Sequence, residues 1–406
     1  MGLTYRLFSY LSFIVISIKY TYDRFAHNKF PGILLYKIGL KRYKINPKGD
    51  KKCIWIHATS LGETMSTKTL MEQLAKNKNN HVIFSTFTTV GYNYAKTLPG
   101  IDQVIILPLD LKSTMRDLVR KIQPDLFILI ESDYWANFLN EIKKFRCKML
   151  LLGGRISDRS YRRFKRVPVF ARALFSNFDY LFLQDQSMKE KFIGLGIAGE
   201  KIEVIGNLKL DTTSDLTLEE YLPKGRRYIT LGSTHQNEEE SLLKVLDSLD
   251  PDISFVVAPR RPDRFLEVEN LLKELGLSWR FVGEKGRGDE RIIFVNKLGV
   301  LERCYAQSEV AIVCGSFFYS TGGHNVYEPV RVGTPVLYGP YTFNQKSLTK
   351  IVEDFGVGAE ATLENILESV ERKLKEGRIS EEKVAKIKMQ SEGATEKAIN
   401  LINSLL

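Results

Sequence analysis

Cysteine is scarce and scattered. Cys53, Cys147, Cys304 and Cys314 are the only four in 406 residues, and no two of them form a Cys-x-x-Cys pair. Such spacing excludes a disulfide frame and a cysteine-ligated zinc site, and it fits buried thiols in a reducing compartment. The five histidines show no ligand spacing, so neither a metal nor another cofactor is indicated. No apolar run reaches the roughly 20 residues that cross a bilayer as a helix. No small-residue cleavage site follows the apolar N-terminus, which argues against a cleaved signal peptide. Internal repeats and low-complexity tracts are absent. Charge is also sparse once divided: residues 1–52 hold eleven Lys/Arg and two Asp/Glu, a net of +9, leaving +2 of the total +11 for everything else. Those cations flank apolar sequence instead of being interleaved through a folded surface, so nucleic acid is not an expected partner.

What the N-terminus does contain is residues 7–18 (LFSYLSFIVISI), followed by Lys19, Arg24 and Lys29, then residues 30–40 (FPGILLYKIGL), then Lys41, Arg42 and Lys44. Apolar segments bordered by cations fit an anchor lying in or dipping through an anionic membrane surface. If the first segment spans, the cations after it keep the body cytoplasmic. The plainer reading is a helix packed on the protein.

The chain is too long for one ordinary core, and two domains are expected. From residue 51, short apolar runs alternate with helical patterns: strands at 53–57, 81–86, 103–107, 126–130, 149–152, 180–183 and 203–205, with helices such as 64–76 and 111–122. Residues 211–224 read as a linker. A second series has strands at 228–231, 253–258, 292–295, 310–313 and 335–338, with helices at 238–247, 264–275 and 298–306. Residues 363–406 are charged and amphipathic, and close the chain as helices. This alternation predicts an α/β protein of two doubly wound, Rossmann-like parallel sheets facing a cleft. The expected boundaries are 1–50 for the anchor, 51–212 and 225–375 for the two domains, and 376–406 for a closing helix.

One stretch organises the second domain: Gly322-Gly323-His324-Asn325-Val326-Tyr327-Glu328-Pro329. It reads as a glycine-rich loop after a strand, entering a helix that begins near Asn325. Glycines let backbone approach a ligand closely, and free first-turn N–H groups make an anion site. Pro329 is tolerated there, having no intrahelical N–H bond to lose. Glu328 could accept from two neighbouring hydroxyls, as on a ribose; an ordinary strand–helix turn with a capping Glu is the alternative. Ligands of doubly wound sheets sit at the carboxyl ends of strands, so other loops count too. Ser60-x-x-Glu63 follows the first strand and is adequately read as a capping box. Glu131 stands directly at the end of strand 126–130. If the two carboxylates share the cleft, repulsion raises one pKa and suits it to act as a base; the helix N-terminus pulls Glu63 the other way. Lys209, near the linker, is either a surface lysine or a cation for a departing phosphate. Gly232-Ser233-Thr234-His235 is a small-residue phosphate-type turn, and Pro259-Arg260-Arg261 offers guanidinium groups suited to phosphate or carboxylate.

Taken in order, these motifs resemble the bacterial 3-deoxy-D-manno-octulosonic acid (Kdo) transferases of lipid A biosynthesis, glycosyltransferase family 30. The matching stretches are residues 55–63, 131–137, Arg155-Ile156-Ser157 with Arg159-Ser160, 206–211, 232–239, Pro259-Arg260 and 322–329. The resemblance implies a GT-B fold, a membrane-associated N-terminus at the cytoplasmic face of the cell inner membrane, and metal-free inverting transfer of Kdo from CMP-Kdo to a lipid A precursor (a tetra-acyl disaccharide bisphosphate) in lipopolysaccharide core assembly. Residues 51–212 would then bind acceptor and 225–375 the donor. By position, Glu63 is the implied general base, with Glu131 and Lys209 supporting the transition state. Ser233, Pro259, Arg260, Leu298, Gly299, Val300, Gly323, His324, Asn325, Val326, Tyr327 and Glu328 are the implied CMP-Kdo contacts. The chain departs from the family pattern at Asn296-Lys297-Leu298-Gly299-Val300, which lacks the usual acidic ends, and at Gly154, Ala136, Asp133 and Arg261. Two rival readings share the pattern: another membrane-associated GT-B glycosyltransferase with a different nucleotide sugar, and a non-catalytic, membrane-bound nucleotide-binding protein.

Overall fold

The computed structural model describes residues 3–27, 32–211, 221–286, 288–319, 321–391 and 393–406. Lys29, Phe30 and the 212–220 portion of the expected linker lie outside the described residues. The chain divides into two compact units: Met1–Thr213 with Glu392–Leu406, and Ser214–Ser391.

Unit 1 contains strands β1 (Lys52–His57), β2 (Asn80–Thr86), β3 (Gln103–Ile106), β4 (Leu126–Ile130), β5 (Lys148–Gly154), β6 (Tyr180–Leu183) and β7 (Ile202–Val204). They form one sheet in the order β3-β2-β1-β4-β5-β6-β7, with parallel pairing throughout. Alternate side chains feed two cores: Cys53, Trp55, Phe127 and Leu129 enter one, and Ile54, Ile56, Ile128 and Ile130 the other. Burial on both faces explains why these strands read as unbroken apolar runs. The helix Ala394–Leu405 puts Ala394, Ala398 and Ile402 into the second of these cores, beside Leu70 and Leu74. Asp211 fastens it by accepting from the backbone N–H groups of Gly393 and Thr395.

Unit 2 contains β8 (Arg227–Thr234), β9 (Ile253–Pro259), β10 (Trp279–Phe281), β11 (Ile292–Phe294), β12 (Val310–Val313), β13 (Val336–Tyr338) and β14 (Gly358–Glu360). Their order is β10-β11-β9-β8-β12-β13-β14, again all parallel. In each sheet the order of strand addition therefore reverses once, between β1 and β4 in unit 1 and between β8 and β12 in unit 2. These are the switch points where doubly wound sheets open a crevice.

Four expectations are corrected. The single helix at 64–76 is two helices, Leu61–Ser66 and Lys68–Leu74. Hydroxyls of Ser66 and Thr67 turn back to the carbonyls of Glu63 and Thr64, both at 2.7 Å, and compete with the helical ladder at the break. The helix near Asn325 is only Tyr327–Arg331, five residues, because Asn325 Oδ1 takes the Tyr327 N–H at 3.0 Å and closes a turn first. The helix at 298–306 starts at Leu301. Strands β10 and β14, three residues each, had not been expected, being too short to display alternation.

At the N-terminus, Leu3–His27 is one helix lying on unit 1. The Tyr5 hydroxyl donates to Asp110 Oδ2 at 2.9 Å, and its ring meets Phe170; Tyr20 meets Phe87. Leu11, Ile14, Val15, Ile18, Tyr22 and Phe25 remain exposed, and their spacing puts them along one face. Among the described residues no helix is long and apolar enough to cross a membrane.

Candidate functional site

In unit 1 the switch point brings together the loops after β1 and β4. Ser60 caps the helix Leu61–Ser66, and the capping box closes with Glu63 Oε2 accepting from the Thr59 and Ser60 backbone N–H groups at 2.7 and 2.9 Å. The second oxygen, Oε1, accepts from the Ser132 hydroxyl at 3.1 Å. Glu63 is both a cap and a member of a cluster. Burial first, and the neighbouring Glu131 carboxylate second, push its pKa up to about 7, against the pull of the Ser60 N–H and of Lys209. The contest left open by the sequence goes to burial and repulsion, since two N–H bonds offset only part of the desolvation.

Glu131 is almost fully buried, with a left-handed backbone (φ 57°), and Asp133 shares that conformation (φ 71°). Non-glycine residues in this region are costly and collect at functional sites. The kinked backbone aims the carboxylate at two cations: Lys209 Nζ lies 2.8 Å from Oε1 and Arg155 Nε 3.2 Å from Oε2. Burial pushes the Glu131 pKa up, but Lys209 and Arg155 outweigh it, so the group is held below the ordinary value. Tyr134 braces the kink, its hydroxyl lying between the carbonyls of Glu131 and Arg155 at 3.0 and 2.9 Å. One carboxylate is thereby neutralised by cations while the other stands poised to exchange a proton near neutral pH.

The unit 2 switch point brings together the loops after β8, β9 and β12. Strand β8 runs past its expected end through a bulge at Ser233 (φ 58°). Arg260 N–H donates to the Thr234 carbonyl at 3.1 Å, tying the β9 loop to the β8 loop. His235 and His324 face each other with Nε2 atoms 2.8 Å apart. Buried Glu238 is the brace: one oxygen accepts from Gly315 and His235 N–H at 2.7 and 2.9 Å, the other from Ser316 and Phe317 N–H, both at 3.0 Å. Burial nevertheless raises its pKa. Gly323 N–H donates to the Gly315 carbonyl at 2.8 Å, and Asn325 Nδ2 reaches Glu328 Oε1 at 3.3 Å. Burial raises the Glu328 pKa against the pull of Arg331 and Arg260. Val326 and Tyr327 are buried beneath this loop, and Pro259 ends β9.

Not every expected contact joins this group. Leu298 is exposed and the space over Gly299 is open. Val300 is buried and leads into the helix Leu301–Ala306, whose Glu302 pairs with Arg331 at 2.9 Å. Arg155, Ser132, His235 and Glu238 lie in stretches the sequence reading quoted, but it gave none of them an individual role at the site. Arg155 and His235 do lie at strand ends, which was the available signal; the four backbone bonds of Glu238 leave no trace in sequence. Among the described residues no three His, Cys, Asp or Glu side chains are grouped to hold a metal ion.

Residues 37–212 match the family described as 3-deoxy-D-manno-octulosonic-acid transferase (kdotransferase). The 3-deoxy-D-manno-octulosonic acid transferase of Chlamydophila psittaci is 30% identical, over 90% of this chain and 87% of its own. This chain belongs to the 3-deoxy-D-manno-octulosonic acid transferase family. It is a glycosyltransferase. A Haemophilus influenzae Kdo transferase is 29% identical over 93% of this chain and 95% of its own. A bifunctional glycosyltransferase/methyltransferase of Fusobacterium nucleatum is 32% identical over 79% of this chain, and the match spans about half, 52%, of that longer protein. In fold the chain is also similar to the UDP-GlcNAc 2-epimerase of Neisseria meningitidis: 14% identity, TM-score 0.59, 87% of this chain and 100% of the other. That likeness fixes the GT-B class of two Rossmann-like units and nothing about the Kdo transferase chemistry.

Proposed function

We propose that the protein transfers Kdo, with inversion, from CMP-Kdo to a hydroxyl of a lipid A precursor, a step in lipopolysaccharide assembly at the cytoplasmic face of the inner membrane. The observation that carries this reading is Glu63: a buried carboxylate with a pKa of about 7, held by three donors at a switch point. A base titrating near the working pH is the most effective one, because it is both available and basic. Glu63 removes the acceptor proton as the hydroxyl attacks the anomeric carbon. Glu131, kept ionised by Lys209 and Arg155, stabilises positive charge developing on the sugar. The two cations stabilise the opposite charge on the departing CMP. Arg260, His324 and Asn325 suit the phosphate of the donor, and Glu328 suits paired ribose hydroxyls. The exposed apolar face of Leu3–His27, in a segment of net positive charge, supports residence at an anionic lipid surface, where a lipid acceptor is met.

The test is transfer from CMP-Kdo, generated in situ, to a tetra-acylated lipid A precursor, comparing wild type with Glu63→Ala. Transfer by the wild type and none by a folded variant is expected. A variant that keeps its activity reduces Glu63 to a helix cap, and an inactive wild type reopens the donor.

A further inference from the structure

Helix Ala136–Lys144 begins directly after the loop that carries Glu131 and Ser132, and Trp135 at its entry offers no side-chain cap. First-turn N–H groups have no partner within their own helix. Those of Ala136, Asn137 and Phe138 find theirs elsewhere in unit 1. Asp110 accepts from Asn137 N–H at 3.0 Å through Oδ2 and from Phe138 N–H at 2.8 Å through Oδ1. Ala136 N–H donates to the Tyr5 hydroxyl at 3.4 Å, and that hydroxyl donates in turn to Asp110 Oδ2 at 2.9 Å. The Asn137 side-chain amide returns a bond to the Asp110 carbonyl at 2.8 Å. The cap of this helix is therefore assembled from Asp110 and from a tyrosine 131 positions earlier in the chain.

The N-terminal helix, Leu3–His27, touches the same junction from a second side. The Trp135 ring meets Phe87 edge-on, with centroids 4.9 Å apart, and Phe87 carries Tyr20 at 6.4 Å. Lys37 Nζ stands 4.1 Å from the Phe87 centroid and 4.8 Å from that of Tyr20, which ties the contact together. Tyr5 and Tyr20 thus bear on adjacent residues, Ala136 and Trp135, from one helix, while Leu11, Ile14, Ile18 and Tyr22 stay exposed. Between that junction and Glu131 the backbone has no slack. Trp135 N–H closes on the Asp133 carbonyl at 2.9 Å, Ser132 N–H on the Ile130 carbonyl at 2.8 Å, and Glu131 and Asp133 are both left-handed. A shift at Ala136 therefore reaches Ser132 and Glu131.

We infer that Tyr5 is a positioning residue: its hydroxyl, acting through Asp110 and the turn at residues 136–138, holds the loop that sets Glu131 and Ser132 against Glu63. The N-terminal helix then has two working faces, an exposed apolar one and an inner one that forms part of the catalytic scaffold. The effect on the rate rests on the proposed roles of Glu63 and Glu131; the cap itself does not. The hydroxyl can be separated from the ring. Tyr5→Phe keeps the packing on Phe170, at 5.8 Å, and removes only the two hydrogen bonds.

The experiment uses the full chain and compares wild type with Tyr5→Phe in transfer to a tetra-acylated lipid A precursor. Amide hydrogen exchange and sedimentation with phosphatidylglycerol vesicles are measured alongside. Tyr5→Phe is expected to lower kcat roughly 10- to 100-fold, the scale for slight misplacement of reacting groups, with the acceptor KM unchanged. The acid limb of kcat/KM should move to lower pH, because a loosened loop weakens the repulsion of Glu63 by Glu131 and admits water. Exchange should quicken at Ala136, Asn137 and Phe138, and vesicle binding should not change. Adding Asp110→Asn to Tyr5→Phe should lower the rate by less than the two separate losses multiplied, since both act on one cap. An unchanged kcat, a limb that stays in place, or a loss that follows vesicle binding overturns the proposal. If Tyr5→Phe fails to fold, Asp110→Asn alone reads the same limb and the same three amides. A wild type that transfers nothing counts against the proposed chemistry and not against the cap, which exchange at those amides still decides.

Discussion

The hydroxyl of Ser132 donates to Glu63 Oε1 at 3.1 Å, so the residue following Glu131 holds the carboxylate that Glu131 repels. Attraction by the hydroxyl and repulsion by the charge are delivered from adjacent positions on one kinked loop. Glu63 is fixed in place without being fixed in charge.

The first prediction concerns pH. The rate should rise through an acid limb near pH 7 in kcat/KM, where Glu63 loses its proton. Glu63→Gln should remove the limb and lower activity roughly 100- to 10,000-fold while the protein stays folded, checked by circular dichroism. The stability sign is opposite to that of a salt-bridged carboxylate. Because the folded pKa lies above 4.5, the contribution is complete below pH 4.5 and is lost as pH rises through about 7. Wild type should therefore lose stability relative to Glu63→Gln across that window.

Glu131 should act on the same limb from a distance. Its carboxylate raises the Glu63 pKa, and its removal also leaves Lys209 unneutralised, which lowers it. Glu131→Gln should move the acid limb to lower pH, in addition to reducing the rate. A limb that stays at its wild-type position means the two carboxylates do not communicate.

Lys209→Met leaves the almost fully buried Glu131 with Arg155 alone. Breaking a buried pair by removing one partner costs about 3–5 kcal/mol. Chemical denaturation should show a loss of that size in unit 1, smaller in acid, where Glu131 can take up a proton. Removing both charges, as Lys209→Met with Glu131→Gln, should recover part of it.

Glu238→Ala should be severe, because its carboxylate is committed to backbone. It leaves the N–H groups of His235, Gly315, Ser316 and Phe317 without their acceptor. Orphaned buried donors cost about 1–3 kcal/mol each before water enters. A thermal shift larger than that of Glu239→Ala, accompanied by lost CMP protection, is the expected result.

The sheets were legible because strands buried on two faces are apolar throughout: β4 and β12 came out at their expected residues, and β6 did also. Strand–helix alternation gave the two parallel sheets and put Glu63 and Glu131 in loops after strands before their proximity was known. Their pairing was not legible, since it depends on β1 and β4 being neighbours across the switch point. The break at Thr67 was hidden because threonine is tolerated in helices unless its hydroxyl turns inward. Likewise His235 and His324 are 89 positions apart, and nothing local to either announces the other.

The return of Ala394–Leu405 to unit 1 has a consequence for synthesis. The core face containing Leu70, Leu74 and Phe84 is completed by Ala394, Ala398 and Ile402, yet the whole of unit 2 is translated in between. Domains generally fold as units in the order in which they leave the ribosome. Here the first unit must wait, with an apolar surface open to chaperones or to other nascent chains, until the second has been made.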